Sequence, residues 1–381
     1  MTRQSKVRQD RAGDNYFYCL DGLKGIACML VVIWHYFEFA PDYLHLNQVR
    51  FDIPLSIWGY DFSIFGNDSL FDIFTALQLQ RQCVQLFFFI GGFIFMYKYR
   101  DVIQERKLNF KTYSILRVSH LYPLVVLTVF TMIIIRIIGG ANVNAFDAIK
   151  NLLLMNGTNN SYNVPMWTLP QELVTYIVFF LICRFIPSKH HLTLYVAFIA
   201  LGVFICDLNF NTTTIFSSKS FRAFTGFFAG TVTYYIYARI KEAKYKKLIG
   251  AISSVVVFLA TILEIKYGYT TVIEQNSNIQ FATSLFIFPC LLFGVMFVGG
   301  LQTFLSVKPL VFLGKISLAI YLLHWPILSI IELITWKTAL TISADSKWAM
   351  LLIFSIIISI SAVLHYFYER PMQKIIRSLF S

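Results

Sequence analysis

Residues 20–39 read LDGLKGIACMLVVIWHYFEF, and this stretch decides the class of fold. From Gly25 onwards it is apolar except for His35 and Glu38, while Asp21 and Lys24 mark its start. A helix needs about 20 predominantly apolar residues to cross the hydrocarbon core of a bilayer. The stretch therefore predicts a transmembrane helix over residues 20–40.

Nine further apolar runs of similar length follow along the chain. The composition agrees, because 57% of the residues are hydrophobic and 14% are charged, whereas soluble proteins carry about 25% charged residues. We expect an all-α, polytopic integral membrane helix bundle of about ten transmembrane helices, formed by residues 19–369 between tails at 1–18 and 370–381. The further runs are roughly 83–99, 118–138, 166–186, 191–207, 221–239, 247–266, 280–300, 310–333 and 348–368.

The basic residues indicate how the bundle is oriented. A net charge of +12 would suit a nucleic-acid-binding protein, but most of the 32 Lys and Arg residues lie in one alternating set of segments between the apolar runs. Positively charged loops remain on the cytoplasmic side of a membrane. Both termini are therefore predicted to be cytoplasmic. Termini on the same side require an even number of spans, and ten is even. No nucleic-acid partner is expected.

The opposite side of the membrane carries a long segment, residues 41–82, that is rich in Phe, Tyr, Trp and Asp. It either covers an outer cavity or lies on the lipid headgroups. Sequons for N-glycosylation occur on this predicted outer side at Asn67, Asn156, Asn159 and Asn211. None of the six cysteines has CxxC spacing, and we expect no metal site.

Lys24 and His35 are candidate functional residues of the first helix. Eleven residues at 100° each is about 20° past three turns, so both lie on one face, roughly 16 Å apart. An ionisable residue inside a span usually faces the bundle interior or a wet cavity, although a histidine can also serve packing by hydrogen bonding between helices. Lys24 could instead form an interfacial ion pair with Asp21.

Six segments, in this order, resemble the motifs of the acyltransferase 3 family. Gly91 stands where the second segment usually has Ser, and His120 replaces the second Arg of the third. The segments are DGLKGIA at 21–27 with His35 eleven residues after Lys24, LFFFIGGF at 86–93, RVSHLYP at 117–123, WTLPQE at 167–172, SLAIYLLHWP at 317–326 and ERP at 369–371.

The resemblance implies a membrane O-acyltransferase, in a stand-alone form without a C-terminal hydrolase-like domain. Such an enzyme would move an acetyl or other short acyl group from cytoplasmic acetyl-CoA to a sugar hydroxyl. The acceptor would be a cell-surface or lipid-linked glycan of the cell envelope. We therefore expect a multi-pass protein of the plasma or inner membrane, whose partners are acyl-CoA, the glycan and membrane lipid.

Three residues are candidates for the catalytic step: His35, Glu172 and His324. By their positions in their predicted spans, all three lie at one level, about 10 Å below the outer surface. A histidine oriented by a carboxylate is a common general base. We expect His35 to be the base, with Glu172 and His324 orienting it or the acceptor. Alternatively, Glu172 could satisfy free amides at a helix start, and His324 could mark a helix kink.

Four residues at the predicted cytoplasmic ends are candidates for binding the phosphates of acetyl-CoA, the acyl-donor substrate: Lys24, Arg117, His120 and Arg370. The positive-inside rule alone would also place basic residues there. Two other functions remain open from the residues. Buried His and Glu could relay protons in a proton-coupled secondary transporter, or the chain could be a non-catalytic scaffold or receptor.

Overall fold

The computed structural model of the chain describes residues 16–39, 79–155, 161–207, 218–267, 283–338 and 347–380. Within these ranges it contains helices and no strand. The α-helices are α1 Tyr18–Phe39, α2 Leu79–Gln104, α3 Phe110–Ile138, α4 Ala145–Leu152, α5 Thr168–Phe185, α6 His191–Asp207, α7 Ser218–Ile240, α8 Lys246–Tyr267, α9 Phe288–Phe297, α10 Gly299–Leu305, α11 Lys308–Lys315, α12 Ser317–Thr338, α13 Lys347–Leu364 and α14 Arg370–Phe380. Short 3₁₀ helices cover Val164–Trp167 and Ser188–His190, and π-helical segments cover Thr283–Ile287 and His365–Glu369.

The structure confirms an all-α, polytopic membrane fold. Within the described ranges, seven helical segments are long and apolar enough to cross a bilayer, and a bent pair of helices makes a candidate eighth. In that pair, residues Leu285–Phe297 and Gly299–Leu305 meet at 91°. The predicted runs 83–99 and 221–239 fall in α2 and α7, which are 26 and 23 residues long but more polar. Ten spans and cytoplasmic termini remain predictions.

Glycines let several helices approach until their backbones touch. A Cβ atom at Gly92 of α2 would lie 1.8 Å from the carbonyl oxygen of Phe227 in α7, and one at Gly230 would lie 1.9 Å from that of Phe89. Helix α1 is held in the same way, because a Cβ at Gly22 would lie 1.8 Å from the Leu305 carbonyl oxygen. Small residues at helix interfaces are typical of membrane bundles, where van der Waals contact drives association.

Among the residues that the structure describes, two clusters of apolar side chains form the core. The larger one joins α1, α3 and α12 with parts of α2, α9 and α13. The smaller one is mainly aromatic and lies among α2, α5, α6 and α7, where Phe95 stacks on Tyr176 with ring centroids 4.1 Å apart. All the functional candidates except Arg370 lie in α1, α3, α5 and α12.

The structure describes the C-terminal end of the chain but little of the N-terminal end. Residues 370–380, predicted as a tail, form helix α14, which packs against α3. Most of the tail predicted at 1–18, most of the long segment 41–82 and all four sequons lie outside the described residues.

Candidate active site

His35 and His324 form a contacting pair near the centre of the bundle. Nδ1 of His35 lies 3.0 Å from Nε2 of His324, and the two rings stack with centroids 4.9 Å apart at 21°. His324 is completely buried, and His35 is partly buried. Because the residues are 289 positions apart, the contact depends on α1 and α12 packing side by side.

The hydrogen bonds assign the protons on this pair when both rings are neutral. Nδ1 of His324 lies 3.0 Å from the carbonyl oxygen of Ile320, which can only accept, so this nitrogen carries the proton. Nε2 of His324 is then the acceptor and must receive a proton from Nδ1–H of His35. With the proton on Nδ1, the lone pair of the neutral His35 ring is on Nε2, and His35 also forms a hydrogen bond with the backbone of Val31. In this arrangement His35 can act as a base while His324 accepts its Nδ1–H.

A proline and an asparagine fix the part of α12 that carries His324. Pro326 has no N–H, so the carbonyl of Leu322, four residues earlier, loses its usual helical donor. The side-chain amide of Asn163 fills this gap by donating to the Leu322 oxygen at 2.8 Å. Asn163 is fully buried in the segment before Val164–Trp167. The next residue in α12, Trp325, places its ring perpendicular to His35 with centroids 5.5 Å apart.

Glu172 lies in a neighbouring cluster and does not contact either histidine. Its carboxylate accepts a hydrogen bond from the hydroxyl of Tyr176, and it interacts electrostatically with Arg117. Tyr321 of α12 links the two groups. Its hydroxyl pairs with Thr168 and lies within electrostatic range of Glu172, and its ring centroid is 6.2 Å from that of His324.

Arg117 is held in an aromatic cage. Its guanidinium donates from Nη2 to the hydroxyl of Tyr99 at 2.6 Å, and its carbon lies 4.8 to 5.7 Å from the ring centroids of Phe95, Tyr99, Tyr113 and Tyr176. Such rings attract a cation through their π faces. The Nε–H of Arg117 is buried without a hydrogen-bond partner among the described residues. An unpaired buried donor on a cation is suited to an anionic ligand.

The cations Lys24, Arg117 and Arg377 all lie within electrostatic range of His120. Lys24 forms an ion pair of 2.7 Å with the buried Asp21, as the shared helix face predicts. His120 itself has its Nδ1 3.5 Å from the amide of Gln373. The structure therefore brings together three of the four residues predicted for donor binding.

Arg370, the fourth, is on an exposed part of the structure and stacks on Tyr366, 4.8 Å from its ring centroid. Arg377 is the residue that sequence reasoning missed. Its Nε donates to the hydroxyl of Ser119 at 2.9 Å, and its Nη2 donates to Gln373 at 3.3 Å. The available signal was a four-residue spacing that places Glu369, Gln373 and Arg377 on one helix face.

Gln373 and Arg377 are held in place by Glu369 and His365, a buried pair in the π-helical segment. The carboxylate of Glu369 lies 2.7 Å from Nδ1 of His365 and accepts a hydrogen bond of 2.8 Å from the amide of Gln373. Its side chain is 1% exposed. The pair holds Gln373, and through it Arg377, against Ser119 in α3.

Comparison of the sequence with known protein families identifies the family of this chain. A family model described as an acyltransferase domain, that of acyltransferase 3, matches residues 17–366. The chain belongs to the acyltransferase 3 family. It is thus a membrane acyltransferase, and the matched range contains both histidines, Arg117 and Glu172. No curated protein and no solved structure matches the chain in the corresponding searches.

Proposed function

We propose that this acyltransferase moves an acetyl or other short acyl group from cytoplasmic acyl-CoA to a sugar hydroxyl of a cell-surface or lipid-linked glycan, in the plasma or inner membrane. The observation that carries the proposal is the contact of 3.0 Å between His35 and His324. It places one basic imidazole nitrogen inside the bundle of a protein whose family transfers acyl groups. Acyl transfer to a hydroxyl requires such a base.

In the proposed step, Nε2 of His35 takes the proton from the acceptor hydroxyl as the oxygen attacks the thioester carbonyl carbon. The C–S bond of the resulting tetrahedral intermediate then breaks. The proton on Nε2 passes to the departing thiolate, so the products are an O-acyl ester and free coenzyme A. Between these events the His35 ring is positive, and Nε2 of His324 stabilises it by accepting the Nδ1–H hydrogen bond.

The donor end of the site is proposed to lie around Arg117. Coenzyme A carries several phosphate charges, and Lys24, Arg117 and Arg377 supply cations that all lie within electrostatic range of His120. The buried Nε–H of Arg117 offers a donor that no described residue uses. We assign Lys24, Arg117 and Arg377 to the phosphates, and His120 a supporting position among them.

In this proposal Glu172 does not orient His35 or the acceptor, although the sequence had led us to expect that role. We assign Glu172 the role of a positioning residue for the arginine cage, since its bond with Tyr176 fixes the carboxylate within electrostatic range of Arg117. Tyr321, between Glu172 and His324, connects the donor end with the histidine pair.

The test uses the full chain in nanodiscs with radiolabelled acetyl-CoA and a surface-glycan extract. We expect label in the glycan with the wild type and a loss of about 10²- to 10⁴-fold with His35→Gln, the usual contribution of a general base. His190→Gln is the matched control, because His190 is exposed on a predicted inner loop. Thermal unfolding verifies that both variants are folded.

Two results would overturn the proposal. Equal labelling by His35→Gln and the wild type would remove His35 from the chemistry. Absence of acyl-CoA consumption by the wild type over a panel of short-chain donors and glycan acceptors, together with proton flux in proteoliposomes, would favour the transporter alternative.

A further inference from the structure

A cavity of about 340 Å³ lies beside α11, apart from the histidine pair and the arginine cage. Its polar lining consists of Tyr18, Ser306, Lys308, Lys315 and Tyr366, and none of these residues belongs to the proposed acyl-transfer site. The lining also includes the apolar residues Val311 and Phe312, so the cavity combines cations with apolar surface.

The charge of the lining indicates an anion. Lys308 and Lys315 are seven residues apart on one helix, so they lie on nearly the same face, about 10 Å apart. No carboxylate of the described residues lies within 4 Å of either ammonium group. Arg370 adds a third cation at the edge, where it stacks on Tyr366. The cavity is thus positive and flanked by aromatic rings.

The position of the cavity indicates a lipid. Helix α10 and the preceding segment Leu285–Phe297 meet at 91° and together make one candidate span. Ser306 and Lys308 come directly after α10, at the end of this candidate span, where a spanning segment reaches the membrane surface. Apolar side chains beside them are open to the surroundings, since Phe304 is 60% exposed and Val307 is 41% exposed. A basic pocket next to exposed apolar surface suits a molecule with a charged head and acyl chains.

We propose that this cavity binds the phosphate headgroup of an anionic phospholipid of the cytoplasmic leaflet. Lys308 and Lys315 bind the phosphate, and the rings of Tyr18 and Tyr366 flank the headgroup. The acyl chains run along the exposed apolar surface at Phe304 and Val307. A soluble phosphate compound shares the charge but lacks these chains, which allows the two sources to be distinguished.

The experiment measures lipid binding by native mass spectrometry on the full chain in detergent. Phosphatidylglycerol and phosphatidylcholine with identical acyl chains are titrated onto the wild type and Lys308→Gln/Lys315→Gln. The matched control is Lys241→Gln/Lys244→Gln, which removes two exposed charges from another predicted inner loop. A basic residue near an anionic lipid surface contributes about 1 kcal/mol, so the Lys308/Lys315 variant should bind phosphatidylglycerol about 30-fold more weakly.

Phosphatidylcholine has the same phosphate but a choline cation beside it, so it should bind the wild type more weakly than phosphatidylglycerol and change less between the three proteins. Lys308→Arg/Lys315→Arg should retain phosphatidylglycerol. Unchanged phosphatidylglycerol affinity in the glutamine double variant would overturn the proposal, as would equal affinity of the wild type for the two lipids. Displacement of the bound lipid by glycerol 3-phosphate or by coenzyme A would also overturn it, because the cavity would then belong to a soluble phosphate compound.

Discussion

The hydrogen bond from Asn163 to the Leu322 carbonyl should replace the helical hydrogen bond that Pro326 cannot donate. A double-mutant cycle tests this prediction. Asn163→Ala removes the donor that lies 2.8 Å from the Leu322 oxygen. Pro326→Ala restores an N–H four residues after Leu322, so the helix can satisfy that carbonyl without help. The two substitutions should therefore be strongly non-additive.

The magnitude follows from burial. Asn163 is fully buried, and leaving a buried carbonyl unpaired costs about 1–3 kcal/mol. Alanine also removes Oδ1 of Asn163, which is buried without a partner among the described residues, so part of the cost is offset. Hydrogen bonds between membrane helices contribute about 1–2 kcal/mol at most. We expect Asn163→Ala to destabilise the Pro326 protein by about 1–2 kcal/mol and the Pro326→Ala protein by close to zero.

The assay is reversible unfolding in mixed micelles with increasing denaturing detergent, which yields the free energy of unfolding for the four proteins of the cycle. Acetyl transfer is measured in parallel, because His324 is two residues from Leu322 and should lose its alignment with His35 when Asn163 no longer holds this part of α12. An equal cost of Asn163→Ala in both backgrounds would show that Asn163 stabilises the fold for another reason.

Two further predictions follow from the packing and the donor cluster. Gly92→Ala should reduce the yield of folded protein severely, because its Cβ would lie 1.8 Å from the Phe227 carbonyl oxygen, whereas Gly91→Ala should be tolerated, since its nearest neighbour is a Phe227 ring atom at 3.9 Å. Size-exclusion profiles measure the yield of each variant, and equal yields would refute the close α2–α7 contact. Arg377→Gln should raise KM for acetyl-CoA about tenfold with little change in kcat, because it loses a charge-assisted contact of about 1.5 kcal/mol. The control Lys374→Gln, on the exposed side of the same helix, should leave KM unchanged. A change in kcat alone would exclude Arg377 from donor binding.

The sequence by itself determined the class of fold and the location of most of the long apolar helices. A transmembrane helix is encoded within about 20 consecutive residues, because lipid demands both apolar side chains and internally paired backbone groups. For the same local reason, the ion pair of Lys24 with Asp21 was predictable from a three-residue spacing. The order of the motifs was enough to predict the acyltransferase 3 family, which the family comparison then confirmed.

Only the tertiary structure decided which of these residues meet. His35 and His324 each stood out as ionisable residues inside a span, but their contact depends on the rotation and adjacency of α1 and α12. Glu172 was predicted to lie at a comparable depth, and it contacts Tyr176 instead. Arg377 lies among the cations near His120, while Arg370 is on an exposed surface. Depth in the membrane follows from position in a span, whereas neighbours across helices depend on close contacts, such as those at Gly22 and Gly92, that no single segment encodes.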